Sequence, residues 1–150
     1  NRVFFLPQRP YIPIGSLRLQ VTYPCSELDD VVGDEVLSTL LDDVGLSYLL
    51  RRFDWEDVVR WEDVLSVGEQ QRLAFARLFY HRPAFAIMDE STSALDVEME
   101  ERCLGRCRDS GITMVSVAHR PTVFPFHMQR LSLSWGEGGC TTSTVTPIAQ

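Results

Sequence analysis

Two short apolar runs, AFAIMD at 84–89 and ITMVSVA at 112–118, stand on either side of a helix-patterned stretch at 97–109, and this order constrains the fold more than any other feature of the chain. Parallel strands need a connection of a dozen or more residues, usually a helix, so strand, helix and strand in succession form a crossover unit. The expected class is α/β, with a parallel sheet whose strands are buried. A further strand is expected at 3–6 (VFFL), stopped by Pro7 and followed by a proline-punctuated extended loop to Gly15.

Between these strands the periodicity is helical. Val36, Leu40 and Val44, with Leu37 and Leu41, predict a helix over 35–44, closed by Gly45, and Ser47 starts a short turn through Arg51. The run FDWEDVVRWEDV mixes acids with Trp55 and Trp61 and reads as a surface connection. It leads into a second helix, 66 to about 80, with apolar stripes at Leu73, Ala74, Leu78 and at Phe75, Phe79, ended by Pro83. Beyond the third strand come a short segment at 121–126, an edge strand at 129–135, and a tail whose GEGG and TTSTVT runs read as a turn and a mobile, polar end. There is no internal repeat.

The start of the second helix is chemically pointed. In LSVGEQQR, Ser66 and Glu69 form a capping box, the serine hydroxyl taking the Glu69 N–H while the glutamate reaches back to the serine N–H. Ser-x-x-Glu alone describes any well-started surface helix. Gly68, however, costs such a helix about 1 kcal/mol relative to alanine, which makes sense if something approaches the backbone there. Free amides and the positive end of the dipole favour an anion such as phosphate.

A second set of polar groups falls beyond the carboxyl ends of the strands, where open parallel sheets gather their ligands. Gln8 follows the first strand, Asp89 and Glu90 end the second, and His119 ends the third. Each has an ordinary alternative, a turn or cap for Asp-Glu and a satisfied core or turn histidine for His119; three on successive strands form a pattern. Adjacent acids repel, and Mg²⁺ is the economical partner. Asp89 is then expected to hold the metal, directly or through water, and Glu90 to orient or deprotonate an attacking water. His119 would polarise that water or contact a terminal phosphate, and Gln8 would sense the same metal and water.

Composition bounds these readings. The 150 residues, 45% hydrophobic and 23% charged, suit one domain with a real core. The formal net charge of −7 argues against a nucleic-acid groove or an anionic membrane surface as partner of the whole chain. All 14 basic residues are arginine, so neither Schiff-base chemistry nor a lysine-dependent phosphate loop is available within it. Cys25, Cys103, Cys107 and Cys140 form no C-x-x-C pair and read as reduced thiols, ahead of zinc or disulfide. No apolar run reaches the roughly 18 to 20 residues of a membrane span, and no signal-peptide pattern is present. The chain opens on NRVFFLPQRP with no start methionine, as the middle of something longer would.

These motifs together resemble the ATP-binding cassette (ABC) ATPases. LSVGEQQR resembles their signature motif, FAIMDE their Walker B strand, SALD at 93–96 their D-loop, FLPQRP their Q-loop, and His119 their switch histidine. FLPQRPYIPIGSLRLQVTYP, VLSVGEQQRLAFARLFYHRP and SVAHRP are similar to subfamily D, half-transporters associated with very-long-chain fatty acyl-CoA in peroxisomes. The run VGLSYLLRRFDWEDVVRWEDVLS resembles the lysosomal, cobalamin-pathway branch of that subfamily.

The resemblance implies the C-terminal part of a P-loop NTPase domain: a helical signature subdomain at about 16–82, a Walker B and switch-histidine core at 83–135, and the tail at 136–150. It implies ATP and Mg²⁺ as cofactors, with Asp89 and Gln8 toward the metal and Glu90, His119 and Gln8 catalytic. Ser66 and Gly68, with Glu69 and Gln70 beside them, would meet ATP held by a second nucleotide-binding domain, in a homo- or heterodimer. The D-loop residues Ser93, Ala94, Leu95 and Asp96 would lie at the shared interface. A transmembrane domain is expected upstream, and the location is the cytosolic face of a peroxisomal or lysosomal/ER membrane. The sequence departs from the family in lacking G-x-x-x-x-G-K-[ST] and the adenine-stacking aromatic before it. The fragment alone is therefore expected to be inactive, and a non-catalytic pairing partner is the alternative to a transporter ATPase.

Overall fold

The structure, a computed structural model, describes residues 3–24, 32–135 and 141–148. The chain enters through β1 (Val3–Leu6) and then crosses a helical region of α1 (Leu17–Thr22), α2 (Asp34–Asp43), a 3-10 turn (Ser47–Arg51), α3 (Trp61–Val64) and α4 (Val67–His81). It returns through β2 (Phe85–Asp89), crosses over α5 (Val97–Asp109) to β3 (Thr113–Val117), makes a second 3-10 turn (Pro121–Phe126), and ends in β4 (Gln129–Trp135) and β5 (Thr141–Pro147). The first three strands form a parallel sheet in the order β1-β2-β3, with Leu6 opposite Met88 and Met88 opposite Ser116. All three carboxyl ends therefore open at one edge.

The sheet differs from expectation in one respect. Leu6, Ala86 and Met88 are buried in the core that includes residues of α4 and α5, but Val3, Phe5, Phe85, Ile87, Val115 and Val117 on the opposite face are exposed. The strands are thus covered on one side only among the described residues, although their composition is that of strands buried on both faces.

Three stretches look different from the sequence reading. Helix α1 follows directly on the proline-rich loop, started by Ser16, whose hydroxyl accepts the Leu19 N–H at 3.1 Å. The acidic connection is not wholly surface: Trp61 is 1% exposed, meets Phe53 edge-on at 5.0 Å, and donates its indole N–H to the Gly15 carbonyl at 2.8 Å. The surrounding acids face water while the ring anchors the segment. Residues 141–147, read from composition as a mobile polar end, pair antiparallel with β4 from Thr141↔Trp135 to Pro147↔Gln129. Their alternation of threonine with serine and valine suits an extended strand better than a coil.

Helix α4 ties the helical region together through buried polar groups. Arg77, 3% exposed, donates to the Gln20 carbonyl (2.6 Å), the Tyr11 carbonyl (2.7 Å) and the Gln20 side-chain oxygen (3.1 Å), with its guanidinium 5.2 Å from the Tyr23 ring. No carboxylate pairs with it in this set. Burial accordingly pushes its pKa down to about 10. Arg72 donates to the Val44 and Gly45 carbonyls at 3.2 and 2.9 Å, closing the C-terminal end of α2, where Gly45 takes a left-handed φ of 66°. Cys103 and Cys107 are buried free thiols, both pushed up to about 12 by burial, whereas Cys25 and Cys140 lie outside the described residues.

Candidate functional site

At the carboxyl edge of the sheet, three of the residues expected there meet. The Gln8 side-chain amide donates to Glu90 Oε2 at 2.9 Å, and His119 Nε2 lies 2.9 Å from Glu90 Oε1. One carboxylate at the end of the middle strand is thus flanked by a group from each neighbouring strand end. His119 is largely exposed, so the cluster faces solvent. The Glu90 backbone is held in a left-handed conformation, φ 45°, which a non-glycine residue adopts only when its surroundings enforce it. Its N–H donates to the Val117 carbonyl at 2.9 Å, and its carbonyl accepts from the Ser93 N–H at 3.1 Å. The twist turns Glu90 away from the line of β2, so that it and Asp89 take different courses.

Asp89 is exposed at the end of β2. Among the described residues no group of three or more His, Cys, Asp or Glu converges as a metal cage. An exposed carboxylate at a strand end is a donor of the kind that holds Mg²⁺ when water and phosphate supply the other ligands, so Asp89 fits that ion.

The start of α4 carries the predicted capping box in full. Ser66 Oγ accepts the Glu69 N–H at 3.4 Å, and the Ser66 N–H donates to Glu69 Oε2 at 2.8 Å. Glu69 is further engaged: Ser66 Oγ donates to Oε2 at 2.7 Å, the Tyr48 hydroxyl donates to Oε1, and Arg72 stands 3.7 Å from Oε1. Burial opposes ionisation of Glu69, yet the hydrogen bonds from Tyr48 and Ser66 outweigh it and hold the carboxyl below its usual range. Burial, then the bond to Glu69, pushes the Tyr48 phenol up to about 12. Gln70 turns its amide back to the Leu65 carbonyl at 3.0 Å. Glu69 and Gln70 therefore build the helix start, together with the Ser66 hydroxyl that caps it.

The reason for Gly68 is more specific than the sequence reading supposed. A Cβ there would stand 2.8 Å from the Ala94 carbonyl oxygen. The close approach comes from the 93–96 loop of the same chain. In that loop Asp96 caps α5 by accepting the Met99 N–H at 2.8 Å, and Leu95 is buried. The Leu95 carbonyl accepts from Arg120 at 2.9 Å, so the loop is tied to the segment that carries His119.

Two residues escaped the sequence reading. Gln71, 1% exposed, lies one position beyond the signature residues singled out and bonds to three separate segments. Its signal was present: it shares a helix face with Phe75 and Leu78, a polar group on an apolar stripe. Arg120 stands 3.5 Å from Glu100, a fully buried carboxylate that also accepts from Thr122.

A family model described as "ABC transporter" matches residues 19–93. The chain belongs to the ABC transporter family. It is 49% identical over 144 residues to ABC transporter D family member 1 of Arabidopsis thaliana, covering 93% of this chain and 10% of that protein. It is 44% identical over 150 residues to ATP-binding cassette sub-family D member 3 of Mus musculus, covering 97% and 23%. To the lysosomal cobalamin transporter ABCD4 of Mus musculus it is 44% identical over 144 residues, covering 89% and 23%. This ABC chain thus spans a quarter or less of the length of these relatives. Its fold matches a bacterial Atm1-family ABC exporter with ATP bound, with a TM-score of 0.71 and 23% identity over 87% of this chain and 23% of that one. The resemblance to an ABC ATPase domain of subfamily D and the α/β, P-loop NTPase class are both upheld.

Proposed function

We propose that this chain is the signature and Walker B part of an ATPase domain that binds and hydrolyses ATP to drive a membrane half-transporter. The observation that carries the reading is the Glu90 carboxylate bracketed by Gln8 and His119 at 2.9 Å each, on the edge where three parallel strands end. In this arrangement Glu90 accepts a hydrogen bond from Gln8, stands beside His119 and presents its remaining lone pairs outward, where it orients the attacking water and takes its proton. Asp89 and Gln8 would hold Mg²⁺, which would neutralise charge on the phosphates. His119, exposed and anchored to Glu90, reaches the terminal phosphate. Ser66 and the amides around Gly68 meet the nucleotide of a second nucleotide-binding domain, and the 93–96 loop lies between the two sites.

The partner is accordingly a second copy or a related half-transporter, together with an upstream transmembrane domain; among the described residues no helix is long and apolar enough to cross a membrane. The domain would work at the cytosolic face of a peroxisomal or lysosomal/ER membrane. The resemblance to subfamily D half-transporters points to fatty acyl-CoA as cargo, and the similarity to a protein named as a lysosomal cobalamin transporter supports cobalamin. Without lysine the 150 residues carry no Walker A loop, so by themselves they turn over no ATP.

The test is Glu90→Gln in the full-length protein. Turnover is expected to fall by about a thousandfold, about 4 kcal/mol in barrier, while ATP remains bound and the dimer accumulates closed. Hydrolysis at the parental rate removes Glu90 from this role, whereas absence of turnover in the parental full-length protein favours a domain that serves only to pair.

A further inference from the structure

The Gln71 side chain reaches three parts of the site at once. Its amide nitrogen lies 3.0 Å from the Gln8 carbonyl, 3.4 Å from the Glu90 carbonyl and 3.2 Å from Ser93 Oγ, and its oxygen accepts the Ala94 N–H at 2.9 Å. A primary amide has two N–H donors and one acceptor oxygen, and here both ends are in use in a place from which water is excluded. These bonds join the helix that begins at Ser66 to the loop after β1, to the turn after β2, and to the 93–96 loop.

The bond to Glu90 falls at a telling place. Glu90 keeps its left-handed backbone because its N–H is held by Val117 and its carbonyl by Ser93 and Gln71. The Gln8 carbonyl, held by the same amide, fixes the backbone from which the Gln8 side chain reaches Glu90. One buried group thus bonds the backbones of both partners in the Gln8–Glu90 contact.

The geometry points to Gln71 as a positioning residue for the cleavage step: it holds the Gln8 and Glu90 backbones so that the Glu90 carboxylate stands between Gln8 and His119. This rests on the ATPase reading above. It separates the tasks of one helix. The first turn faces the ligand, and the side chain one turn further on sets the reacting carboxylate. The dependence is on hydrogen-bond donation, because the two carbonyls can only accept.

The experiment compares full-length parental protein with Gln71→Met, which keeps the volume and removes all four bonds, and Gln71→Glu, which keeps the length and the acceptor for Ala94 but, ionised, offers no donor. Both are expected to lower kcat by 10- to 100-fold with KM for ATP within threefold of the parent. A kcat within twofold of the parent in either folded variant overturns the assignment. So does a KM that rises in step with the fall in kcat, and so does failure of both variants to fold, which would make Gln71 a packing group. Glu90→Gln in the same preparation keeps the two readings apart. If it still hydrolyses ATP at the parental rate, Glu90 loses the role assigned to it in the ATPase reading whatever Gln71 does. If it is inactive while Gln71→Met runs at the parental rate, only the Gln71 assignment falls.

Discussion

The start of α4 and the edge of the sheet are both polar and both adjoin the candidate site, yet they are built on opposite plans. At the helix start almost every side chain is engaged by its neighbours: Glu69 by Ser66, Tyr48 and Arg72, Gln70 by Leu65, and Gln71 by Gln8, Glu90, Ser93 and Ala94. At the strand ends the side chains of Glu90 and His119 meet only each other and Gln8 among the described residues, and Asp89 stands exposed. The first arrangement fixes a backbone; the second keeps side chains available to a ligand. Membership of a motif therefore does not tell which residues meet the ligand and which hold the scaffold.

The comparison breaks most visibly if a buried scaffold contact can be removed without harm. Arg77→Met would leave the Tyr11 and Gln20 carbonyls without their donors and should lower stability by about 3 kcal/mol. Thermal unfolding of the full-length protein reads this out, and an unchanged midpoint would mean that the helical region does not depend on Arg77. Next in size is Ser66→Ala. Loss of the cap should cost about 1 kcal/mol, and in the ATPase assay it should weaken nucleotide-dependent closure more than it lowers the melting temperature. An equal effect on both would make Ser66 purely a helix start.

The smallest effect lies in the pH dependence of the Tyr48–Glu69 pair. Glu69 is held below its ordinary value, so its contribution is present above about pH 4.3 and is lost as pH falls through the lowered folded value. Tyr48 is raised to about 12, so its contribution is complete below about pH 10 and is lost as pH rises towards 12. Tyr48→Phe should flatten the alkaline limb of a melting-temperature profile, and persistence of that limb would place its origin elsewhere.

Much of this was legible in the chain because the signals were local. Apolar strands that end in Gln8, Asp89-Glu90 and His119 announce both a parallel sheet and its working edge, and Ser66 with Glu69 announces a helix start. What escaped depends on contacts between distant segments. Trp61 sits among acids that point to a surface, and only the Gly15 carbonyl, 46 residues away in sequence, reveals why its ring is buried. The 141–147 strand exists through pairing with β4, and its own polar composition gave no hint of that partner. Gln71 looks like one more polar residue in a polar motif until the carbonyls of Gln8 and Glu90 are brought to it.

The missing Cβ at Gly68 acts as clearance between two parts that lie in close contact. With the Ala94 oxygen only 2.8 Å from where a methyl group would sit, even alanine would push the 93–96 loop off the helix. That loop is also bound to Arg120, next to His119, so the disturbance would pass along the backbone to the histidine. A single hydrogen at position 68 thus sets how closely helix and loop can nest, and a larger side chain there would reach, through the loop, a residue it never touches.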